Sequence, residues 1–174
     1  MQEFFSPINI AELGNADAYT DSAYGNLIAI HTENEFPELE GANIALSGVE
    51  EDRRSINNEG CALAPNYVRQ HLYALYQGDF KSNIIDLGNI KAGSTIEDTY
   101  FALTEVLTTL LKKNIVPIIM GGGQDLTHCN YLAYKSLEQT INVAAVDACF
   151  DMGDKDEELN SRNYLTKIIL DTPN

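Results

Sequence analysis

The sequence has no tryptophan, three cysteines, three histidines, and 11 lysines and arginines against 26 aspartates and glutamates. Each shortage closes a class of function. The formal net charge of −15, with no cluster of basic side chains, excludes a surface that holds nucleic acid or an anionic membrane, because both would be repelled. Cys61, Cys129 and Cys149 are odd in number, scattered, and never in a C-x-x-C pair. Neither a disulfide framework nor a structural zinc site is therefore expected, and a reducing cytoplasm is the expected compartment. No apolar run reaches the ~20 residues that cross a bilayer. Met1 to Phe5 carry neither the basic region nor the long apolar core of a signal peptide.

What is present reads as one globular unit. A chain of 174 residues with 44% hydrophobic content can bury a sizeable core. Two stretches organise it. Ile115 to Met120 is a short run rich in β-branched residues that stops at Gly121-Gly122-Gly123-Gln124-Asp125, and Val143 to Val146 stops at Asp147-Ala148-Cys149-Phe150-Asp151. Buried parallel strands have this form, and ligands sit beyond their carboxyl ends.

Taken in order, residues 1–40 say least. Asn26 to Thr32 suits a short strand, His31 within it suits a structural histidine, and Phe36 to Gly41 suits a turn. Ile44 to Val49 is expected to be a buried strand, followed by the charge run Glu50 to Arg54, read as a solvated loop. Ala64-Pro65 opens a helix whose stripe is Val68, Leu72, Leu75 and Tyr76; Arg69 and His71 fall off it, and Gly78-Asp79 ends it. A strand at 83–90 follows. Next comes a helix capped by Ser94 or Thr95, with Glu97 and Asp98 in its first turn and Lys112 and Lys113 at its end. A strand at 114–120, a helix near 124–138, a strand at 141–147, an acidic loop and a helix from about Leu159 to Leu170 complete the chain. This alternation implies a parallel sheet with helices on both faces.

The chemical candidates lie at the two strand ends. In an extended segment Asp147, Cys149 and Asp151 point the same way. Two carboxylates suit Mn²⁺ or Mg²⁺, and a thiolate pulls toward zinc or iron. Against this stands an acidic loop with a small cysteine. The glycine turn with Gln124 suits a phosphate cradle only in its glycines, since it is neither a P-loop nor G-x-G-x-x-G. His128, one turn beyond Gln124, makes a nucleophile pair with Cys149 conceivable by residue type.

Four segments carry a resemblance. Gly48-Val49 with Asn58 to Arg69, Asp86-Leu87-Gly88-Asn89, Pro117 to Asp125, and Val146 to Asp151 resemble, in order and spacing over roughly residues 44–170, the signature segments of the ureohydrolases. That family comprises arginase, agmatinase and formimidoylglutamase, and the triple glycine is closest to the last.

The resemblance implies a three-layer α/β/α fold with a mainly parallel sheet, incomplete at its C-terminal side. Residues 1–40 would be an N-terminal extension and 41–174 the N-terminal half of an arginase-like domain. It implies a binuclear Mn²⁺ centre that activates water against a guanidino- or formimidoyl-type carbon. Asp147 and Asp151 match metal-binding aspartates. Gln124 and Cys149 stand where the family has histidine ligands, and Ser161 and Asn163 fall in a substrate-binding segment, with Arg162 in place of glycine. A later aspartate segment has no counterpart before Asn174. No tight two-metal site, and so no resident cofactor, is expected; Mn²⁺ is expected if the family chemistry survives. The expected partners are a second copy or the missing C-terminal half, covering an exposed sheet edge, and a small amidine or amino-acid ligand. The leading expectation is a catalytically inactive family member. The alternative is a divergent amidine hydrolase that needs the missing half.

Overall fold

In a computed structural model that describes residues 1–13, 20–138 and 141–171, the three strongest apolar runs become adjacent strands of a five-stranded sheet. Its strands are β1 (Phe5–Ser6), β2 (Ala29–Ile30), β3 (Ile44–Val49), β4 (Ile84–Ile90) and β5 (Val116–Met120). The order is β1-β4-β3-β5, with β2 also on β4. β4 and β5 run parallel to β3, with Ala45 beside both Ile85 and Pro117. β2 is parallel to β4, and only β1 is antiparallel. Two short strands from the first forty residues are thus part of the sheet.

Among the described residues five helices flank it: α1 (Tyr24–Leu27), α2 (Ala64–Leu72), α3 (Ile96–Lys112), α4 (Thr127–Lys135) and α5 (Tyr164–Asp171). The main core lies between the sheet and α3 with α4. Leu103, Val106, Leu107 and Leu110 of α3 and Cys129 and Ala133 of α4 bury against Ala45, Val49, Ile85, Leu87 and Ile90. α2 lies against β3 and β5 on the opposite face. These are three layers around a mainly parallel sheet.

Local chemistry sets the helix ends. Thr95 caps α3: its hydroxyl accepts from Asp98 N–H, and the Asp98 carboxylate accepts from Thr95 N–H. α2 ends at Leu72, ahead of the expected Gly78. The carbonyls of Tyr73 and Leu75 accept instead from the N–H groups of Gly25 and Tyr24, so a tertiary contact overrides the helical continuation. The expected helix at 124–138 is a tight turn, Gln124–Leu126, followed by α4. The last helix starts at Tyr164 rather than Leu159, because the Asn163 side chain folds back on Asn160 N–H and holds the preceding residues in a loop.

One expected strand does not form. Residues 141–147 join no ladder. Val143 is half exposed and Val146 wholly so. An apolar run becomes a buried strand only where neighbours take up its N–H and C=O groups, and among the described residues no strand pairs with it.

Candidate functional site

The glycine turn after β5 is built for close approach. Gly121 and Gly122 have φ of +75° and +76°, and a Cβ on Gly121 would stand 2.4 Å from Pro65 Cδ. The turn delivers Gln124, whose amide donates to the Asp147 carboxylate and reaches Tyr164 Oη at 3.5 Å. Three segments thereby meet: the end of β5, the loop at 147–151 and the first residue of α5. Tyr164 did not stand out in the sequence, where it is simply one more apolar-face aromatic.

Asp147 and Asp151 do come together. Asp147 accepts from Gln124 and from Cys149 N–H at 2.9 Å, and these bonds hold its carboxyl below the usual range. Burial, then the charge of Asp147, push Asp151 up. Asp151 has a φ of +46°, and its Oδ2 is buried without a hydrogen-bond partner. The pair is thus asymmetric: one carboxylate satisfied and ionised, one with an unpaired oxygen.

The expected convergence of Asp147, Cys149 and Asp151 on one side is not observed, because the segment is not a strand. The Cys149 side chain is exposed. His128 packs against Tyr131 at 5.9 Å, with burial lowering its pKa. Cys129 is inert, its thiol pushed up to about 12 by burial.

Ser161 and Asn163 are buried and committed to the fold. Ser161 Oγ accepts from Ile56 N–H at 2.9 Å. The Asn163 amide accepts from Asn160 N–H and donates to the carbonyls of Asp154 and Glu158. Both order the acidic loop, and their polar atoms are already engaged.

The charge run after β3 is not a solvated loop. Glu51 is fully buried and takes Arg53 Nε at 2.9 and 3.1 Å and the Thr99 hydroxyl at 3.1 Å. Arg53 also donates to the carbonyls of Gly93, Ser94 and Thr95. Arg54 pairs with Glu158. The run ties the turn after β3 to the start of α3 and to the acidic loop.

A second buried network joins α2 to β4. Arg69, off the apolar stripe of its helix, turns inward and grips Asp86 through Nε at 2.9 Å and Nη2 at 2.8 Å; Tyr73 donates to the same carboxylate at 2.9 Å. Burial works against the guanidinium charge, but the hydrogen bonds and charge of Asp86 outweigh it and raise its pKa. His31 is structural, as expected: buried, with Nδ1 at 2.9 Å from Leu87 O and its ring edge-on to Phe36.

The sequence model of the arginase family matches residues 42–170. The chain belongs to the arginase family. Among curated proteins, it is 29% identical over 126 residues to the formimidoylglutamase of Lysinibacillus sphaericus, covering 70% of this chain and 39% of that protein. It is 31% identical over 127 residues to that of Streptococcus gordonii, covering 68% and 39%. Among solved structures, a Trypanosoma cruzi formiminoglutamase with Mn²⁺ superposes with a TM-score of 0.73 at 21% identity, over 86% of this chain and 52% of that one. The formimidoylglutamase of Bacillus subtilis gives 0.72 at 21%, over 85% and 48%. The mainly parallel sheet with flanking helices is the arginase-like fold. The chain spans about two fifths of the length of these curated relatives and half that of the structures.

At this cluster Gln124 donates an amide N–H to Asp147, and the Cys149 side chain is exposed. Among the described residues no three His, Cys, Asp or Glu side chains converge as a metal site.

Proposed function

We propose that this chain is an arginase-family protein in which the binuclear metal site is lost, so that it acts by binding rather than by hydrolysis. The observation that carries this is the Gln124–Asp147 hydrogen bond. A metal ligand must present a free lone pair. Gln124 turns its amide N–H, which has no lone pair to give, toward Asp147, and its amide oxygen is a neutral, weaker donor than an imidazole; Asp147 accepts a hydrogen bond at each oxygen, from Gln124 at Oδ2 and from Cys149 N–H at Oδ1. The scarcity and scatter of cysteine support a cytoplasmic setting.

Calorimetric titration of the metal-stripped chain with Mn²⁺ tests this. The expected result is no binding tighter than millimolar, with affinity gained when Gln124→His and Cys149→His restore imidazole donors. Micromolar binding near two ions per chain, weakened by Asp147→Ala, overturns it.

A second reading has its own support. Asp151 Oδ2 is buried without a partner, an orphan that a cation satisfies well. On this reading the chain is part of a metal-dependent hydrolase of a formimidoyl- or guanidino-type substrate, using Mn²⁺ and completed by further residues. Release of urea, ammonia or formamide by a longer polypeptide, abolished by Asp151→Asn, would establish it.

A further inference from the structure

The chain has four arginines. Three of them pair with a carboxylate: Arg53 with Glu51, Arg54 with Glu158 and Arg69 with Asp86. Arg162 differs. It is exposed, and among the described residues its hydrogen bonds are made by its backbone and not by its guanidinium. That backbone is held on all sides. Arg162 N–H donates to Asn160 Oδ1 at 2.9 Å, and the Arg162 carbonyl accepts from Gly153 N–H at 2.8 Å. Its neighbours Asn160, Ser161 and Asn163 are buried, and Ser161 N–H donates to Arg54 O at 3.0 Å. A fixed turn thus presents one long cationic side chain, and the bond to Gly153 roots it two residues from Asp151.

The carboxylate pair beside it calls for a positive charge. Two carboxylates held together repel, and a nearby cation relieves the repulsion. Burial, then Asp147, push the Asp151 carboxyl up, and the charge of Arg162 draws it down. Two further cations of the region are committed elsewhere. Lys167 Nζ donates to the carbonyls of Lys155 and Glu157 at 2.7 and 2.6 Å, and Arg54 is held by Glu158.

We propose that Arg162 is a built-in counter-cation, whose guanidinium closes over the Asp147–Asp151 pair from the solvent side and fills the place of a metal ion. The inference rests on the reading that the binuclear metal site is lost. A guanidinium suits the task, because it stays charged and its planar fork of N–H donors matches a carboxylate. Asp147 accepts one hydrogen bond at each oxygen and keeps a further lone pair on both. Since the turn itself is fixed, closing takes only side-chain rotation. Any cation that enters the site must displace Arg162.

Two measurements test this. Proton exchange of the Arg162 Nε–H, read by NMR on the wild-type chain, is expected to be more than threefold slower than in the Asp147→Asn/Asp151→Asn variant. Arg69 Nε–H, bonded to Asp86 in the core, serves as the unchanged reference. In the Gln124→His/Cys149→His chain, Arg162→Gln is expected to raise Mn²⁺ affinity by calorimetry about tenfold, the scale of one charge acting on a divalent ion at short range. Arg162→Lys and Lys155→Ala, which removes a cation from the same loop, are expected to change it less than threefold. An Arg162 Nε–H that exchanges equally fast with and without the two carboxylates overturns the proposal, as does equal Mn²⁺ affinity with Arg and Gln at 162. If that chain binds no Mn²⁺, the exchange measurement alone decides. Micromolar Mn²⁺ binding by the wild-type chain overturns the metal-loss reading instead, whatever the exchange of Arg162.

Discussion

Arg69 and Asp86 are both fully buried, so neither can lose its partner without leaving a charge in the core. Arg69→Met is expected to destabilise the fold by about 3–5 kcal/mol, the usual cost of orphaning one member of a buried pair. Denaturant unfolding checks it, and a loss under about 1 kcal/mol would mean water reaches Asp86. Glu51 gives a pH signature. Burial opposes its charge, but Arg53 and Thr99 prevail and hold its pKa below the usual value. A depressed carboxyl contributes stability above its unfolded pKa, near about 4.3, and loses that contribution as pH falls through the folded value. Glu51→Gln is therefore expected to cost about 1 kcal/mol at pH 7 and to flatten the acid limb of the stability profile. Unfolding midpoints at pH 3 and 7 would separate this from a uniform loss. Sequence alone reached these residues only in part. Arg69 was visible as an off-stripe residue and Asp86 as part of a motif, but nothing in their spacing said that one would turn inward to meet the other. The charge run around Glu51 misled for the same reason: a carboxylate reads as solvated until the arginine that buries it has a place.

At the scale of elements, α3 shows how local signals succeed. Its cap, first-turn acids and last-turn lysine lie within the helix itself, and its observed span is Ile96–Lys112. Thr95→Ala removes the cap and is expected to cost about 1 kcal/mol. Thr95→Asp, which keeps an acceptor, is expected to cost far less, and equal losses by thermal unfolding would remove the cap from the account. The strands β3, β4 and β5 were legible because each is a short apolar run that neighbours on the sheet can complete. The 141–147 run has the same composition and does not form a strand, because pairing depends on a neighbour that composition cannot name. The early end of α2 has a similar cause, with Tyr24 and Gly25 taking the carbonyls that would have continued it. Gln124 meeting Asp147 belongs here too: motif order placed both near one end of the sheet, and only the turn geometry joined them.

Over the whole molecule, stability is uneven. The β3–β4 pair sits at the middle of the sheet under α3, while residues 142–150 carry exposed apolar side chains and no ladder. Hydrogen exchange is expected to be slowest at Ala45, Ile85 and Leu87 and near the unprotected rate from Asn142 to Val146. Comparable protection of both regions would mean that the 141–147 run pairs in solution. The link between the charge run and the acidic loop has a consequence in time. Ile56 N–H finds its acceptor on Ser161, 105 positions later, and Arg54 finds Glu158. A ribosome adding ~5–20 residues per second needs roughly 5–20 s to cover that interval. The turn after β3 must therefore wait, half-assembled, until the acidic loop has been made. The order of synthesis places the closing of this clasp after β3, β4 and β5 have all been made.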